Sequence, residues 1–243
     1  MDFLILLSLA VGPGLAIAYY VHFRDKFDKE PRKLLLQCFM LGVYSLFPAV
    51  VLEIIGESYY AYDATNLVSV FVYSFIIIGF SEEWSKYMFL RWFAYPKKAF
   101  NEPYDGIVYS VMIGMGFATF ENIRYVFNDG GGVGLAFLRM FTAVPAHAIF
   151  GIMMGYFVGR AKFEKGNGFS LRMMGLFTAI MFHGGYDFFL LQQNYPVFYF
   201  GALVVVAVGI IVSQNAIHYH VMNSPFNRFK KGVKRIAGKL HLK

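Results

Sequence analysis

Residues 67–89 read LVSVFVYSFIIIGFSEEWSKYMF, and the fold turns on how this stretch is read. Its first part is apolar enough to lie in lipid, yet it runs straight into Glu82, Glu83 and Lys86. An ionised side chain at the bilayer centre costs at least about 2.5–3.5 kcal/mol. Three such groups within two helical turns therefore need partners or a purpose, and the rest of the chain must supply one or the other.

The composition supports the membrane reading. The 243 residues are 58% hydrophobic and 15% charged, against roughly 25% charged in a soluble domain. With 28 Phe and 17 Tyr, the aromatic share suits lipid-facing surfaces and interfacial belts. Cys38 is the one cysteine, so an intramolecular disulfide and a cysteine metal cluster are both excluded. The first apolar stretch, FLILLSLAVGPGLAIAYYVHF, has no basic residue ahead of it and RDKFDKEPRK behind it. That reverses the charge order of a signal peptide and predicts a retained first helix. The net charge of +7 gathers at helix ends and in the last residues, where it orients a membrane protein; no nucleic-acid partner is expected.

Apolar windows long enough to cross a bilayer predict an all-α polytopic protein, a bundle of about seven transmembrane helices at roughly 3–23, 34–55, 66–92, 104–127, 134–160, 170–191 and 196–218. Loops 24–33, 93–103 and 160–172 and the tail from 221 hold most of the Lys and Arg, and the intervening loops hold essentially none. The positive-inside rule then places the N-terminus outside and the C-terminus in the cytoplasm, in agreement with an odd number of crossings. Residues 1–220 are expected to form one membrane domain, with Pro13 kinking the first helix. Residues 221–243 form a basic tail in which Phe226, Phe229, Val233, Ile236 and Leu240 recur at helical spacing, fit to lie on an anionic leaflet.

Few ionisable groups fall inside these spans: Glu82, Glu83 and Lys86 in the third, Glu121 in the fourth, His147 in the fifth, His183 and Asp187 in the sixth. Glu53 sits at the outer end of the second. Glu82 and Lys86 are four apart and share a helical face, as do His183 and Asp187 (HGGYD) and Phe117 and Glu121 (FATFE). Glu83 points about 100° away from Glu82 and is expected to lack that cationic partner. Gly114, Gly116, Gly151, Gly184 and Gly185 would let the helices approach closely. At 1.5 Å per residue, Glu82 lies roughly 24 Å and Glu121 about 10 Å from the outer ends of their spans, with His147 and His183 near the middle. A shared polar cavity with its floor at the glutamate pair is expected.

Carboxylates in a water-accessible cavity of low dielectric can take a proton from water and return it to a leaving amine. Histidine or a protonated acid can donate to the oxyanion that develops. Those parts suffice to hydrolyse a peptide bond without a cofactor. His147, His183 and the carboxylates also form a ligand set for a divalent metal such as zinc, although no HExxH is present. No serine or cysteine stands beside a base in a nucleophile motif, so covalent catalysis is not expected.

EEWSK, then EPYDGIVYSVMIGMGFATFEN, then a mid-helix His147 and finally HGGYD together resemble the PrsW family of intramembrane proteases. That family groups with CAAX prenyl endopeptidases, bacteriocin-processing enzymes and the APH-1 subunit of γ-secretase. The resemblance implies a glutamate-dependent endopeptidase of the bacterial cytoplasmic membrane that makes the first cut in a membrane-anchored protein, a single-span anti-sigma factor. By motif, Glu82 takes the place of the water-activating base, Glu121 that of the FxxxH histidine, and His183 with Asp187 that of the oxyanion-stabilising HxxxN pair. Two other classes stay open at this point: a noncatalytic scaffold like APH-1, and a proton- or cation-coupled transporter.

Overall fold

The computed structural model describes residues 2–127 and 132–227, and no strand occurs among them. Seven helical stretches are long and apolar enough to cross a membrane: Phe3–Arg24, Arg32–Tyr59, Leu67–Ala94, Pro103–Phe127, Gly132–Phe163, Gly168–Leu191 and Pro196–Met222. The expected spans are all present, each shifted by only a few residues. Of the basic tail, Phe226 is described, while Phe229, Val233, Ile236 and Leu240 lie outside the described residues.

Two spans are divided by proline. The second comprises α2 (Arg32–Tyr44) and α3 (Leu46–Tyr59), with Pro48 in the first turn of α3. The fifth comprises α7 (Gly132–Phe141) and α8 (Ala143–Phe163), with Pro145 similarly placed in α8. Proline has no N–H to give to the carbonyl four residues back. In each case the helix ends near that carbonyl and restarts after Ser45 or Thr142.

The third span begins with α4 (Leu67–Val72), widens into a π-helical turn over Tyr73–Gly79, and continues as α5 (Phe80–Phe89). Asn66 caps α4 by accepting from the Val68 and Ser69 amides. π-Turns cluster at functional sites because they re-aim the side chains that follow, and here the side chains that follow are Glu82 and Glu83.

The central helix is α6 (Pro103–Phe127), packed against α2, α8 and α1 (Asp2–Arg24). Hydrophobicity gives little drive for helix association in lipid, so close backbone packing must supply it. Gly106 shows how close: a Cβ there would lie 2.5 Å from the Gly155 carbonyl oxygen and 2.6 Å from the Gly159 Cα, both on α8. The bundle is completed by α9 (Gly168–Leu191) and α10 (Tyr199–Met222). Lipid-facing side chains such as Phe47, Ile54, Phe200 and Ile211 stay exposed around the outside.

Candidate active site

The site forms where α5, α6, α8 and α9 meet. Gly79, at the end of the π-turn, packs on Gly184, where an added Cβ would come within 3.3 Å of the Gly184 amide nitrogen. That approach sets the start of α5 beside His183. On the other side, a Cβ on Gly114 would lie 3.2 Å from the His147 carbonyl oxygen, so α6 seats the turn of α8 that carries His147.

Lys86 Nζ lies at the centre. It donates to Glu82 Oε2 at 3.1 Å and to Glu83 Oε1 at 2.8 Å, and it lies 3.8 Å from the centre of the Phe117 ring. The expectation that Glu83 lacks a cationic partner is therefore corrected. Residues three apart on a helix are also neighbours, and the long lysine side chain reaches both carboxylates. His183 Nδ1 adds a second contact to Glu83 Oε1 at 2.9 Å. Its Nε2 lies 3.3 Å from Asp187 Oδ2 and 3.8 Å from Glu82 Oε2. Phe150 stacks on the His183 ring, with centroids 4.6 Å apart.

His147 joins this cluster to a second one. Its Nδ1 is 3.2 Å from Lys86 Nζ and its Nε2 is 3.0 Å from Glu121 Oε2. An ammonium only donates, so Nδ1 accepts, and Nε2 carries the hydrogen that goes to Glu121. The Glu121 carboxylate also accepts from Arg139 Nη2 at 2.9 Å, while Arg139 Nε donates to Asn122 Oδ1 at 2.6 Å. Arg139 is the site residue that the sequence reading omits. A lone arginine in the apolar run GLAFLRMF carries the same signal as the glutamates, an ionised group where lipid would otherwise surround it.

All seven expected residues, Glu82, Glu83, Lys86, Glu121, His147, His183 and Asp187, thus fall into one connected network. They differ in what they face. Glu82, Glu121, His147, His183, Asp187 and Arg139 line a cavity of about 280 Å³. Glu83 and Lys86 do not line it; they sit behind Glu82 and are at least 95% buried. One donor atom from each of Glu82, Glu83, His147 and His183 lies within 4.8 Å of the others, a grouping that could hold a metal ion.

The profile of a family described as PrsW family intramembrane metalloprotease matches residues 30–213. A curated protein of Bacillus subtilis named Protease PrsW is 35% identical over 195 residues, covering 80% of this chain and 86% of its own. Proteins of the same name from Geobacillus kaustophilus and Clostridioides difficile are 33% and 31% identical, covering 82% and 85% of this chain and 86% of each relative. No solved structure matches. With its seven membrane-spanning helices and a buried network of carboxylates and histidines, the chain belongs to the PrsW family of intramembrane proteases and is a membrane-embedded peptidase.

Proposed function

We propose that the protein hydrolyses a peptide bond of a membrane-anchored protein with water activated by Glu82. The observation that carries this reading is the division of the glutamate pair: Glu82 faces the cavity, and Glu83 is turned away against Lys86 and His183. A general base must reach the water it deprotonates, and only one of the pair does.

Glu82 takes a proton from the water as its oxygen attacks the scissile carbonyl carbon. His183 lines the same space, and its Nε2, 3.3 Å from Asp187 Oδ2, can turn its hydrogen to the oxyanion that forms. The protonated Glu82 then gives its proton to the leaving amine, the carbonyl re-forms, and the base is regenerated. Glu83 and Lys86 are positioning residues, one orienting His183 and the other holding the Glu82 carboxylate. Arg139 and His147 fix Glu121 on the opposite wall, where it can hold the attacking water.

The donors of Glu82, Glu83, His147 and His183 have the chemistry of a zinc site. However, Lys86 Nζ already stands at hydrogen-bond distance from Glu82, Glu83 and His147. The other His147 nitrogen and both His183 nitrogens face carboxylates. A divalent ion held by this set would have to displace Lys86 Nζ, and in its place the ammonium supplies part of the positive charge that the carboxylates require.

The charge distribution of the loops supports an outside N-terminus and a cytoplasmic C-terminus, and with them a cavity nearer the extracytoplasmic side of a bacterial membrane. The family resemblance supports a single-span anti-sigma factor as substrate. The test compares new peptide termini in membrane and extracytoplasmic fractions of cells carrying wild type or Glu82→Ala at matched expression. Termini near the outer ends of single-span proteins should appear only with the wild type. An unchanged set of termini in the variant removes Glu82 from the mechanism.

A further inference from the structure

Beside the catalytic cavity lies a second space of about 430 Å³ between α7, α9 and α10. Leu135, Arg139, Tyr186 and Leu190 line both, so the two spaces adjoin along these side chains. The remaining lining is mostly apolar, from Leu138, Tyr199, Phe200, Ala202 and Leu203, with Thr142 beside Arg139. Arg139 and Tyr186 put polar groups on the shared edge, with Thr142 and the Tyr199 hydroxyl elsewhere on the lining. A different groove of about 440 Å³ on the α9–α10 face, lined by Met181, Phe182, Phe189 and Val204, shares no residue with the catalytic cavity and has no polar side chain.

This arrangement meets the needs of an extended peptide. A substrate drawn out of helical form near its cut site exposes backbone N–H and C=O groups that lipid cannot satisfy. Side chains beside a cut bond that belong to a transmembrane segment are apolar. The shared edge offers Arg139 and Tyr186 for the backbone, and the space beyond is large enough for a leucine- or phenylalanine-sized side chain. Lipid acyl chains would fill the groove on the α9–α10 face equally well, but they have no use for an arginine.

Resting on the protease reading above, the geometry points to this second space as the specificity pocket, which accepts a large apolar side chain of a membrane-anchored substrate within a few residues of the cut bond. Leu203 and Phe200 form its outer lip, with exposures of 51% and 68%, and can be replaced without disturbing the core.

The test uses the full-length protein in detergent and a set of single-span reporters carrying Ala, Leu or Phe at each position flanking the cut. Wild type should favour Leu or Phe over Ala at one position by about tenfold or more in kcat/KM, the scale set by a few methylenes in an apolar pocket. Leu203→Trp, which fills the pocket, should reverse that preference while still cutting the Ala reporter, which shows that the variant is folded. Phe200→Ala should widen tolerance at the same position. In a second arm, p-benzoylphenylalanine at position 203 of the Glu82→Gln protein should crosslink to the reporter. An unchanged preference in Leu203→Trp, or crosslinks to phospholipid alone, overturns the pocket assignment and leaves the protease reading standing. If wild type cuts no reporter, the protease reading itself fails.

Discussion

Lys86 Nζ, on the third span, lies 3.2 Å from His147 Nδ1, on the fifth. The contact makes an ammonium the shared neighbour of the two glutamates and a histidine that could otherwise hold a metal. Purified wild type is therefore expected to carry little zinc and to keep its activity in a chelator, whereas Lys86→Ala should take up about one ion per chain. Metal analysis of both proteins checks this. Stoichiometric zinc in the wild type, with activity lost on chelation, would show that the lysine moves aside.

The two glutamates should fail differently. On the proposed mechanism Glu82→Gln removes the base and is expected to lower kcat by about 10²–10⁴-fold with little change in KM or melting temperature. Glu83→Ala leaves Lys86 and His183 without their most buried partner and is expected to cost about 3–5 kcal/mol of stability. Thermal unfolding read beside single-turnover cleavage separates the two. Equal melting temperatures would contradict the assigned division of roles.

Arg139 is the counter-charge of Glu121, with both side chains about 15% exposed. Arg139→Leu strands that carboxylate and should destabilise by about 3–5 kcal/mol. Arg139→Lys should rescue only in part, because an ammonium lacks the planar fork that reaches Glu121 and Asn122 together. Adding Glu121→Gln to Arg139→Leu should recover stability, and a double-mutant cycle showing no coupling would place the Arg139 effect elsewhere.

At the other end of the bundle, Asp25, Glu30 and Glu102 are buried just outside the spans, each with a carboxylate oxygen that has no hydrogen-bond partner. Burial pushes Asp25 up to about 6, Glu102 to about 7 and Glu30 to about 10. The folded state therefore holds protons that the unfolded chain releases near pH 4, and the stabilisation is complete below that pH and lost as pH rises through the folded values. The melting temperature in detergent should fall from pH 5 to pH 8. Glu102→Gln should flatten that slope, and an identical slope in the variant would acquit Glu102.

What the sequence carried and what it hid follow from the range of each signal. Span positions and the seven network residues were legible, because hydropathy and isolated charges act over whole helices. The breaks at Ser45 and Thr142 were not predicted, since a single proline scarcely alters a hydropathy window even where it ends a helix. The π-turn over Tyr73–Gly79 was equally hidden, because a shift in hydrogen-bond register has no composition of its own. Helical angles alone misjudged Glu83, because a flexible lysine covers more of the helix surface than its Cα position indicates.

Lys86 also matters before the site exists. Glu82 and Glu83 must enter the membrane during synthesis, when His183, Asp187 and the rest of α9 have yet to be made. By travelling on the same helix, Lys86 reaches both carboxylates and offsets one of their two negative charges. His183, the oxyanion donor of the proposed mechanism, arrives only with the sixth span. On the proposed mechanism a half-made chain therefore carries the base beside its ammonium but no oxyanion donor, and it cannot cut its neighbours until the bundle is nearly closed.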